Sequence, residues 1–196
     1  MAERAGVAGI VLAAGLSSRM GSNKMLLELD GESLIARAAR RAIHARLNPV
    51  IVVVGHEADR ARGALAGVHC VVVENPDFRS PSSASMHRGL DAVPAESAGA
   101  VALLGDMVHV SADMIRAVAE AAGTSGAPLV VSHYGDVTAP PIYFARALFE
   151  ELRAWTGEGC GKPVVRAHIH EAHIVDWPEA SLADVDTPAD WDRLAR

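Results

Sequence analysis

The residues of this chain whose types and spacing suit chemistry begin with one loop, from Gly15 to Lys24. The loop follows an apolar run, consists mostly of small side chains, and supplies two cations, Arg19 and Lys24. Small side chains let backbone N–H groups approach anionic oxygens, and the cations neutralise the charge that the amides leave uncompensated. Lys24 is one of only two lysines among the 18 lysines and arginines of the chain. The loop therefore predicts a polyphosphate-binding site.

Spacing excludes two familiar phosphate-binding loops. A dinucleotide fingerprint has glycines at G-x-G-x-x-G, and a P-loop reads G-x-x-x-x-G-K-[ST]. Here no glycine stands two positions after Gly15, Gly21 follows it by six positions, and Lys24 comes three positions later. The sequence therefore supports neither NAD binding nor hydrolysis by a P-loop enzyme.

Two carboxylates are candidate metal ligands. Asp106 follows the buried run Val101–Leu104 and a glycine, so we expect it at the sheet edge where ligands bind. Proteins commonly hold Mg²⁺ with one or two carboxylates, and waters and substrate phosphates complete the shell. Asp186 is the second candidate, although Asp186-Thr187-Pro188 is also a good helix start. Asp184 is the less favoured alternative.

Other polar residues carry weaker signals. The hydroxyls of Ser82, Ser83 and Ser85 suit a base edge or a ribose, but serines are equally typical of a helix start. The string His168-x-His170-x-x-His173 contains no cysteine, and we interpret its histidines as solvated residues at a helix-to-strand turn.

Strand and helix patterns alternate along the chain, and they position these residues. The predicted strands are Gly9–Leu12, Val50–Val54, Val68–Val73, Ala100–Leu104, Leu129–Ser132, Ile142–Phe144 and Glu171–Trp177. The predicted helices are Ser33–His44, Glu57–Leu65, Ser83–Val93, Ser111–Ala122, Ala145–Trp155 and Pro188–Leu194. Continuous apolar strands separated by helices predict an α/β fold, a single Rossmann-like three-layer domain whose mostly parallel sheet is covered on both faces. Ligands bind such sheets beyond the carboxyl ends of the strands.

Size and charge narrow the class of protein. A chain of 196 residues with 50% hydrophobic residues is most simply one domain. A net charge of −6 argues against nucleic acid and against an anionic membrane as partners. The run Val7–Leu16 is about half as long as a membrane span requires, and we interpret it as a strand and loop rather than as a secretion signal. Cys70 and Cys160 form no disulfide framework, so a cytoplasmic location is expected.

The loop matches a known signature. Leu12-Ala13-Ala14-Gly15-x-Ser17-x-Arg19-Met20-Gly21-x-x-Lys24 resembles the motif of nucleotidyltransferases that join a nucleoside monophosphate to a small phosphorylated acceptor. Within them it is most similar to the molybdenum cofactor cytidylyltransferases of the MobA/MocA-like NTP transferase family. Further similar segments follow in order: Leu26-Leu27-x-Leu29-x-Gly31-x-x-Leu34, Asn75-Pro76-Asp77-Phe78, Ser82-Ser83-x-Ser85-Met86-x-x-Gly89-Leu90, Leu104-Gly105-Asp106-Met107 and Asp184-Val185-Asp186-Thr187-Pro188-x-Asp190.

The resemblance implies transfer of CMP from CTP to molybdopterin-type molybdenum cofactor, with Mg²⁺ and release of pyrophosphate, on a fold of the nucleotide-diphospho-sugar transferase type. It favours Asp106 and Asp186 as metal ligands and Ser82 and Ser83 as base-side contacts. We assign Arg19 to the β- and γ-phosphates, because its forked donors suit several oxygens, and Lys24 to the α-phosphate. The remaining expected nucleotide contacts are Leu12, Ala13, Ala14, Gly15, Ser17 and Gly105.

The chain departs from the family pattern on the expected acceptor side. Val108 stands where the family usually has proline, Thr138-Ala139-Pro140 replaces a Gly-His-Pro segment, and residues 157–162 replace a Gly-Asp-x-Gly-Ala-Arg turn. We therefore expect a nucleotide-binding part at about 1–110 and an acceptor-binding part at about 111–196. His109 and Lys162 are the candidate acceptor contacts.

Several functions stay open at this stage. The nucleotide is either CTP or GTP, and the acceptor is either the molybdenum cofactor or a sugar or polyol phosphate. A protein of another class, which carries the cofactor to a partner such as a molybdoenzyme without catalysis, is also compatible with the acceptor-side departures.

Overall fold

A seven-stranded sheet forms the frame on which the candidate residues stand. The computed structural model describes residues 6–159, 161–183 and 187–194. The strands in these residues are β1 (Val7–Ala13), β2 (Glu28–Leu29), β3 (Glu32–Ser33), β4 (Val50–Val54), β5 (Val71–Glu74), β6 (Gly99–Leu104), β7 (Leu129–Tyr134), β8 (Val137–Ala145) and β9 (His173–Trp177). The α-helices are α1 (Leu34–His44), α2 (Ala58–Ala64), α3 (Ser83–Asp91), α4 (Ala112–Ser125), α5 (Phe149–Ala154), α6 (Lys162–His168) and α7 (Pro188–Leu194).

The large sheet is mostly parallel, as predicted. Its strand order is β5-β4-β1-β6-β8-β7-β9. All of its pairings are parallel except those of β8, which runs antiparallel to both β6 and β7. Strands β1 and β6 are neighbours, with Leu12 opposite Leu104. The loops that follow these two strands therefore leave the sheet side by side.

Helices cover both faces of the sheet. Val11 and Ala13 of β1 pack in one buried cluster with Ile35 of α1 and Ile115 of α4. The alternate β1 residues Ala8, Ile10 and Leu12 pack in a second cluster with Met86 of α3 and Phe149 of α5. Successive residues of β1 thus enter clusters on opposite faces of the sheet, and all residues of β4 are buried. Both observations agree with a sheet that helices cover on both faces. The predicted three-layer α/β domain is confirmed.

Some predicted boundaries were wrong. The strand predicted at Ile142–Phe144 is the nine-residue β8, which starts before Pro140 and Pro141. Prolines usually end strands, but here the β7–β8 register shifts opposite them, and the Ser132 hydroxyl donates to the Pro141 carbonyl oxygen at 2.8 Å. The helix predicted at Ala145–Trp155 begins instead with a 3₁₀ turn before α5.

Two short elements were not predicted as such. Strands β2 and β3 pair around Asp30 and Gly31, and both turn residues have positive φ, 56° and 77°. That geometry is typical of a tight hairpin turn formed by Asp-Gly. Helix α6 follows a glycine-rich stretch of sequence that carries no strong helix signal before Lys162.

Predicted caps agree with the structure. The Ser111 hydroxyl accepts the Met114 N–H at 3.2 Å and so caps α4, and Pro188 is the first residue of α7. None of the helices in the described residues has the length and apolar character that a membrane span needs.

Candidate active site

Residues 14–24, here called the anion loop, form a turn that hydrogen bonds within the loop stabilise. Ser17 and Gly21 have positive φ angles of 53° and 70°. The Met20 N–H donates to the Ser17 carbonyl oxygen at 2.8 Å, and the Lys24 N–H donates to the Ser17 hydroxyl at 3.0 Å. A positive φ is uncommon for a residue with a side chain. The two hydrogen bonds of Ser17 stabilise this conformation. Ser17 therefore joins the start of the loop to Lys24.

Asn23 anchors the end of the anion loop in the protein interior. Its side chain is buried, although it directly follows the exposed residues Gly21 and Ser22. Its Oδ1 accepts the Met25 N–H at 3.1 Å, and its Nδ2 donates to the His56 carbonyl oxygen at 3.0 Å. The short 3₁₀ helix Lys24–Leu26 therefore starts at a fixed place beside β4. Sequence reasoning missed this residue.

Gly55 lets the end of β4 approach the anion loop. A Cβ at this position would lie 2.5 Å from the Phe78 Cβ and 2.9 Å from both the Cβ and the carbonyl oxygen of Ala14. The His56 N–H also meets the Ala14 carbonyl oxygen, at 3.4 Å. Only glycine fits this approach without displacing backbone. A glycine directly after a run of β-branched residues was the available sequence signal.

The Glu57 carboxylate interacts with the side chain of Asn23. Glu57 adopts a left-handed conformation, φ 53°, at the start of α2. Its hydrogen bond with Arg60 is the main cause that lowers the pKa of the Glu57 carboxyl, and a weaker contribution comes from the Asn23 side chain. Glu57 therefore stays ionised at neutral pH.

Lys24 and Asp106 meet at the carboxyl ends of β1 and β6. The Lys24 Nζ forms an ion pair and hydrogen bond with Asp106 Oδ2, and the side chains are 14% and 12% exposed. Asp106 was predicted to face the ligand edge of the sheet, and it lies there. The two residues are 82 positions apart in the sequence, which is why their contact was not predicted.

Gly105 makes this meeting possible. Its N–H donates to the Leu12 carbonyl oxygen at 3.1 Å, which ties the Asp106 segment to β1. A Cβ at Gly105 would lie 2.6 Å from the sulfur of Met25, the buried residue after Lys24. The small residue therefore lets the Lys24–Leu26 turn pack directly on the end of β6.

A cleft of about 350 Å³ opens at this place. Its lining comes from five segments of the described residues: Leu12, Ala13, Ala14, Gly15, Leu16, Lys24, Met25, Phe78, Arg79, Ser80, Ser82, Ser85, Leu104, Asp106 and Glu158. The cleft combines apolar residues with two cations, Lys24 and Arg79, and two carboxylates, Asp106 and Glu158. Such a concave, partly apolar surface with a few polar groups is typical of a small-molecule site.

The structure brings some of the predicted residues into the cleft and leaves others outside its lining. Lys24, Asp106, Ser82 and the backbone segment from Leu12 to Gly15 line it. The predicted residues outside the lining are Ser17, Arg19, Ser83, Gly105, His109 and Lys162. Of these, Arg19, His109 and Lys162 are exposed. Asp184 and Asp186 lie outside the described residues.

Ser82 and Ser83 hold one wall of the cleft together. The Ser82 hydroxyl accepts the Gly159 N–H at 2.9 Å, and the Ser83 hydroxyl accepts the Gly157 N–H at 3.0 Å. The Ser82 N–H donates to Glu158 Oε2 at 3.2 Å. The turn at 157–159 is therefore bound to the start of α3, and it brings Glu158 into the cleft. Sequence reasoning missed Glu158 because its position depends on a contact across 76 residues.

Asp106 fits one ligand position of a divalent metal. No group of three or more His, Cys, Asp or Glu side chains able to hold a metal occurs within the described ranges 6–159, 161–183 and 187–194. Hard cations such as Mg²⁺ are often bound by one or two carboxylates with substrate phosphates and waters. A buried carboxylate beside a candidate phosphate site has the right donor chemistry for that arrangement.

Comparison with known proteins identifies the family. Residues 9–173 match the MobA-like NTP transferase domain. Purine catabolism protein PucB of Bacillus subtilis is 30% identical over 200 residues, which cover 96% of this chain and 95% of PucB. The crystal structure of Rv0371c from Mycobacterium tuberculosis has a TM-score of 0.86 at 27% identity, over 98% of this chain and 99% of Rv0371c. A complex of Rv0371c with manganese has a TM-score of 0.83 at 26% identity, over 97% and 98% of the two chains. The chain therefore belongs to the MobA-like NTP transferase family, and its family and fold identify it as a nucleotidyltransferase.

Proposed function

We propose that this chain transfers CMP from CTP to a phosphorylated acceptor of the molybdopterin cofactor type and releases pyrophosphate. One observation carries the proposal: the Lys24 ammonium and the Asp106 carboxylate meet in a cleft that the Leu12–Gly15 backbone also lines. Cation, metal-ligand carboxylate and close backbone are the groups that a metal-bound triphosphate requires. GTP is the alternative nucleotide, and a sugar or polyol phosphate is the alternative acceptor.

The proposed reaction is an in-line attack by an acceptor oxygen on the α-phosphorus of the nucleotide. The bond to the β-phosphate breaks, and pyrophosphate leaves with the negative charge. Catalysis of this kind depends mostly on positioning and on electrostatic stabilisation. Lys24 is assigned to the α-phosphate and Arg19 to the β- and γ-phosphates. A phosphate acceptor is already anionic near neutral pH, so the site needs no general base.

The proposed metal is Mg²⁺, with Asp106 and Asp186 as its protein ligands. When bound, a divalent cation neutralises charge on the phosphates. The manganese complex of Rv0371c supports the use of a divalent metal. Helix α7 supports the choice of Asp186: Trp191, five positions after Asp186, packs against the buried cluster of Leu34 and Val108, and Val108 is two positions after Asp106.

The remaining assignments follow the layout of the cleft. The Leu12–Gly15 backbone and Ser82 line it and are proposed to contact the nucleotide. Ser17, Ser83 and Gly105 are the other proposed nucleotide-binding residues, and each holds a neighbouring segment by a hydrogen bond. His109 and Lys162 are proposed acceptor contacts on exposed segments outside the cleft lining. The proposed location is the cytoplasm.

A product assay tests the proposal. The protein is incubated with each of the four NTPs, Mg²⁺ or Mn²⁺, and molybdopterin cofactor or sugar phosphates, and pyrophosphate and the dinucleotide product are measured. We expect CTP with the cofactor to be used best. Binding of nucleotide without pyrophosphate release for any acceptor would contradict transfer and favour the carrier function.

Lys24→Met and Asp106→Asn test the assigned groups in the same assay. Each should lower kcat by about 100-fold or more, since each removes a charge that acts on the reacting phosphates. Asp136→Asn, in the exposed turn between β7 and β8, is the matched control and should leave kcat unchanged. Thermal unfolding shows whether each variant is folded. Near-normal turnover of a folded Lys24→Met or Asp106→Asn protein would refute the assigned role.

A further inference from the structure

Helix α1 contacts both the segment around Lys24 and the segment that follows Asp106, through residues that the proposed chemistry does not use. Its first residue, Leu34, is buried against Val108, and Met20 of the anion loop and Leu27 pack on the same pair. The Leu34 N–H donates to the Leu27 carbonyl oxygen at 2.9 Å. The start of α1 therefore contacts both the segment around Lys24 and the segment that follows Asp106.

Arg37, one turn further along α1, binds the segment after Lys24. Its Nη1 donates to the Leu29 carbonyl oxygen at 3.0 Å, and its Nη2 pairs with Asp30 at 3.1 Å. The hairpin of β2 and β3 is thereby tied to the helix.

Arg41, one turn beyond Arg37, binds the segment after Asp106. Its Nη1 donates to the Val108 carbonyl oxygen at 2.7 Å and to the Val110 carbonyl oxygen at 3.0 Å. On the other side of Asp106, the Gly105 N–H is bonded to Leu12. Asp106 therefore lies between one anchor on β1 and a second anchor on α1.

The position of Arg41 is electrostatically unfavourable. Burial lowers the pKa of its guanidinium, the charge of Arg37 lowers it further, and Glu32 offsets only part of this lowering. Like charges four residues apart on a helix also destabilise the helix. An aliphatic side chain would fill the space without these costs, so the directed bonds to the two carbonyls are what a guanidinium adds here.

Packing between the Asp106 segment and α1 is incomplete beside the contact of Leu34 with Val108. A cavity of about 20 Å³ lies between them, lined by Arg37 and Arg41 of the helix and by Leu104, Gly105 and Val108 of the other side. Where side chains are not close-packed, a segment has room to shift. The hydrogen bonds of Arg41 then add to the Leu34–Val108 packing in limiting such a shift.

We infer that Arg41 is a positioning residue: by binding the Val108 and Val110 carbonyls it sets the place of the Asp106 carboxylate relative to Lys24 and to a bound metal. The inference rests on the proposed function for its metal. Groups that orient a metal ligand typically change metal affinity by about 10- to 100-fold when removed.

Arg41→Met tests the inference, with Arg41→Lys as the conservative variant and Arg40→Met as the matched control. Arg40 is the adjacent residue and pairs with Glu32 at the helix surface. Mn²⁺ binding is measured by electron paramagnetic resonance in the presence of CTP or GTP, and amide hydrogen exchange of residues 105–110 is measured without ligand. We expect Arg41→Met to weaken Mn²⁺ binding by about tenfold and to speed exchange in that segment, Arg41→Lys to restore part of both, and Arg40→Met to change neither.

The Asp106→Asn background separates positioning from general stability. If Arg41 acts through Asp106, Arg41→Met should weaken Mn²⁺ binding much less in Asp106→Asn than in the wild type. Unchanged exchange and Mn²⁺ affinity in folded Arg41→Met would overturn the inference, as would an equal loss in both backgrounds. Wild-type protein that binds no Mn²⁺ with either nucleotide would instead overturn the proposed function, and the exchange measurement would still decide whether Arg41 holds the segment.

Discussion

At the scale of single residues, the direction of Lys24 depends on its buried neighbour Asn23. A lysine side chain is long and flexible, so its ammonium reaches a fixed place only if its backbone is fixed. Asn23 supplies that restraint through one bond to the 3₁₀ turn and one to the His56 carbonyl oxygen. Local sequence predicted Lys24 from the small-residue loop that carries it, and Asp106 from its place after a buried strand and a glycine. It did not identify Asn23, whose partner is 33 positions away.

Asn23→Ala should lower both stability and turnover. Removing the side chain leaves the His56 carbonyl and the Met25 N–H without their partner, which costs about 1–3 kcal/mol for a buried polar group. Loss of the restraint on Lys24 should also reduce kcat, more than it changes the KM for nucleotide. Urea unfolding and steady-state kinetics measure the two effects, and Ser22→Ala at the exposed neighbouring position is the control. A kcat equal to that of the control would show that the anchor is not needed for Lys24.

At the scale of elements, the ends of β4 and β6 pack closely on residues 12–25 because each of these ends is a glycine. Gly55 at the end of β4 and Gly105 at the end of β6 both approach residues 12–25 at distances that a Cβ would prevent. The strands themselves were predictable from their β-branched and apolar runs. The exact ends of the strands were less predictable. Strand β8 contains two prolines, and the bulge that accommodates them involves Ser132 of the partner strand β7. A pairing of that kind is invisible in a single segment.

Gly55→Ala should disturb the anion loop as well as the fold. The added methyl group would meet Ala14 backbone and the Phe78 Cβ, which cannot rotate away, so we expect a loss of about 1–3 kcal/mol in the free energy of unfolding. Nucleotide affinity should fall with it, because Ala14 and Phe78 line the cleft. Gly63→Ala in α2 is the control, since nothing lies within 4 Å of that Cβ and alanine favours a helix. Fluorescence titration with CTP and GTP measures nucleotide affinity. If Gly55→Ala bound both nucleotides as tightly as Gly63→Ala, the nucleotide would not bind beside Ala14 and Phe78.

At the scale of the whole molecule, the end of the described chain returns to its beginning. Helix α7 packs Trp191 and Leu194 against Leu34 and Val108, the same apolar pair that the anion loop residue Met20 contacts. The order of strands and helices, and the α/β class, were predictable because each element has a strong local pattern. The packing of α7 was not predictable from local patterns, since the partly exposed Trp191 and Leu194 pack on a buried cluster that includes Leu34, more than 150 positions away. The family resemblance suggested only that Asp186 and Asp106 share a metal.

Trp191→Ala tests whether this return serves the metal. If Asp186 is the second ligand, α7 must hold the segment before it near Asp106, and loss of the Trp191 contact should weaken Mn²⁺ binding severalfold while nucleotide binding without metal changes little. Trp191→Phe keeps an apolar ring and should recover most of the affinity, and Asp192→Asn on the exposed side of the same helix should have no effect. Mn²⁺ titration with CTP present, followed by electron paramagnetic resonance, gives the affinities. Equal Mn²⁺ affinity in Trp191→Ala and wild type would separate α7 from the metal, and Asp106 would then need its second protein ligand from another part of the chain.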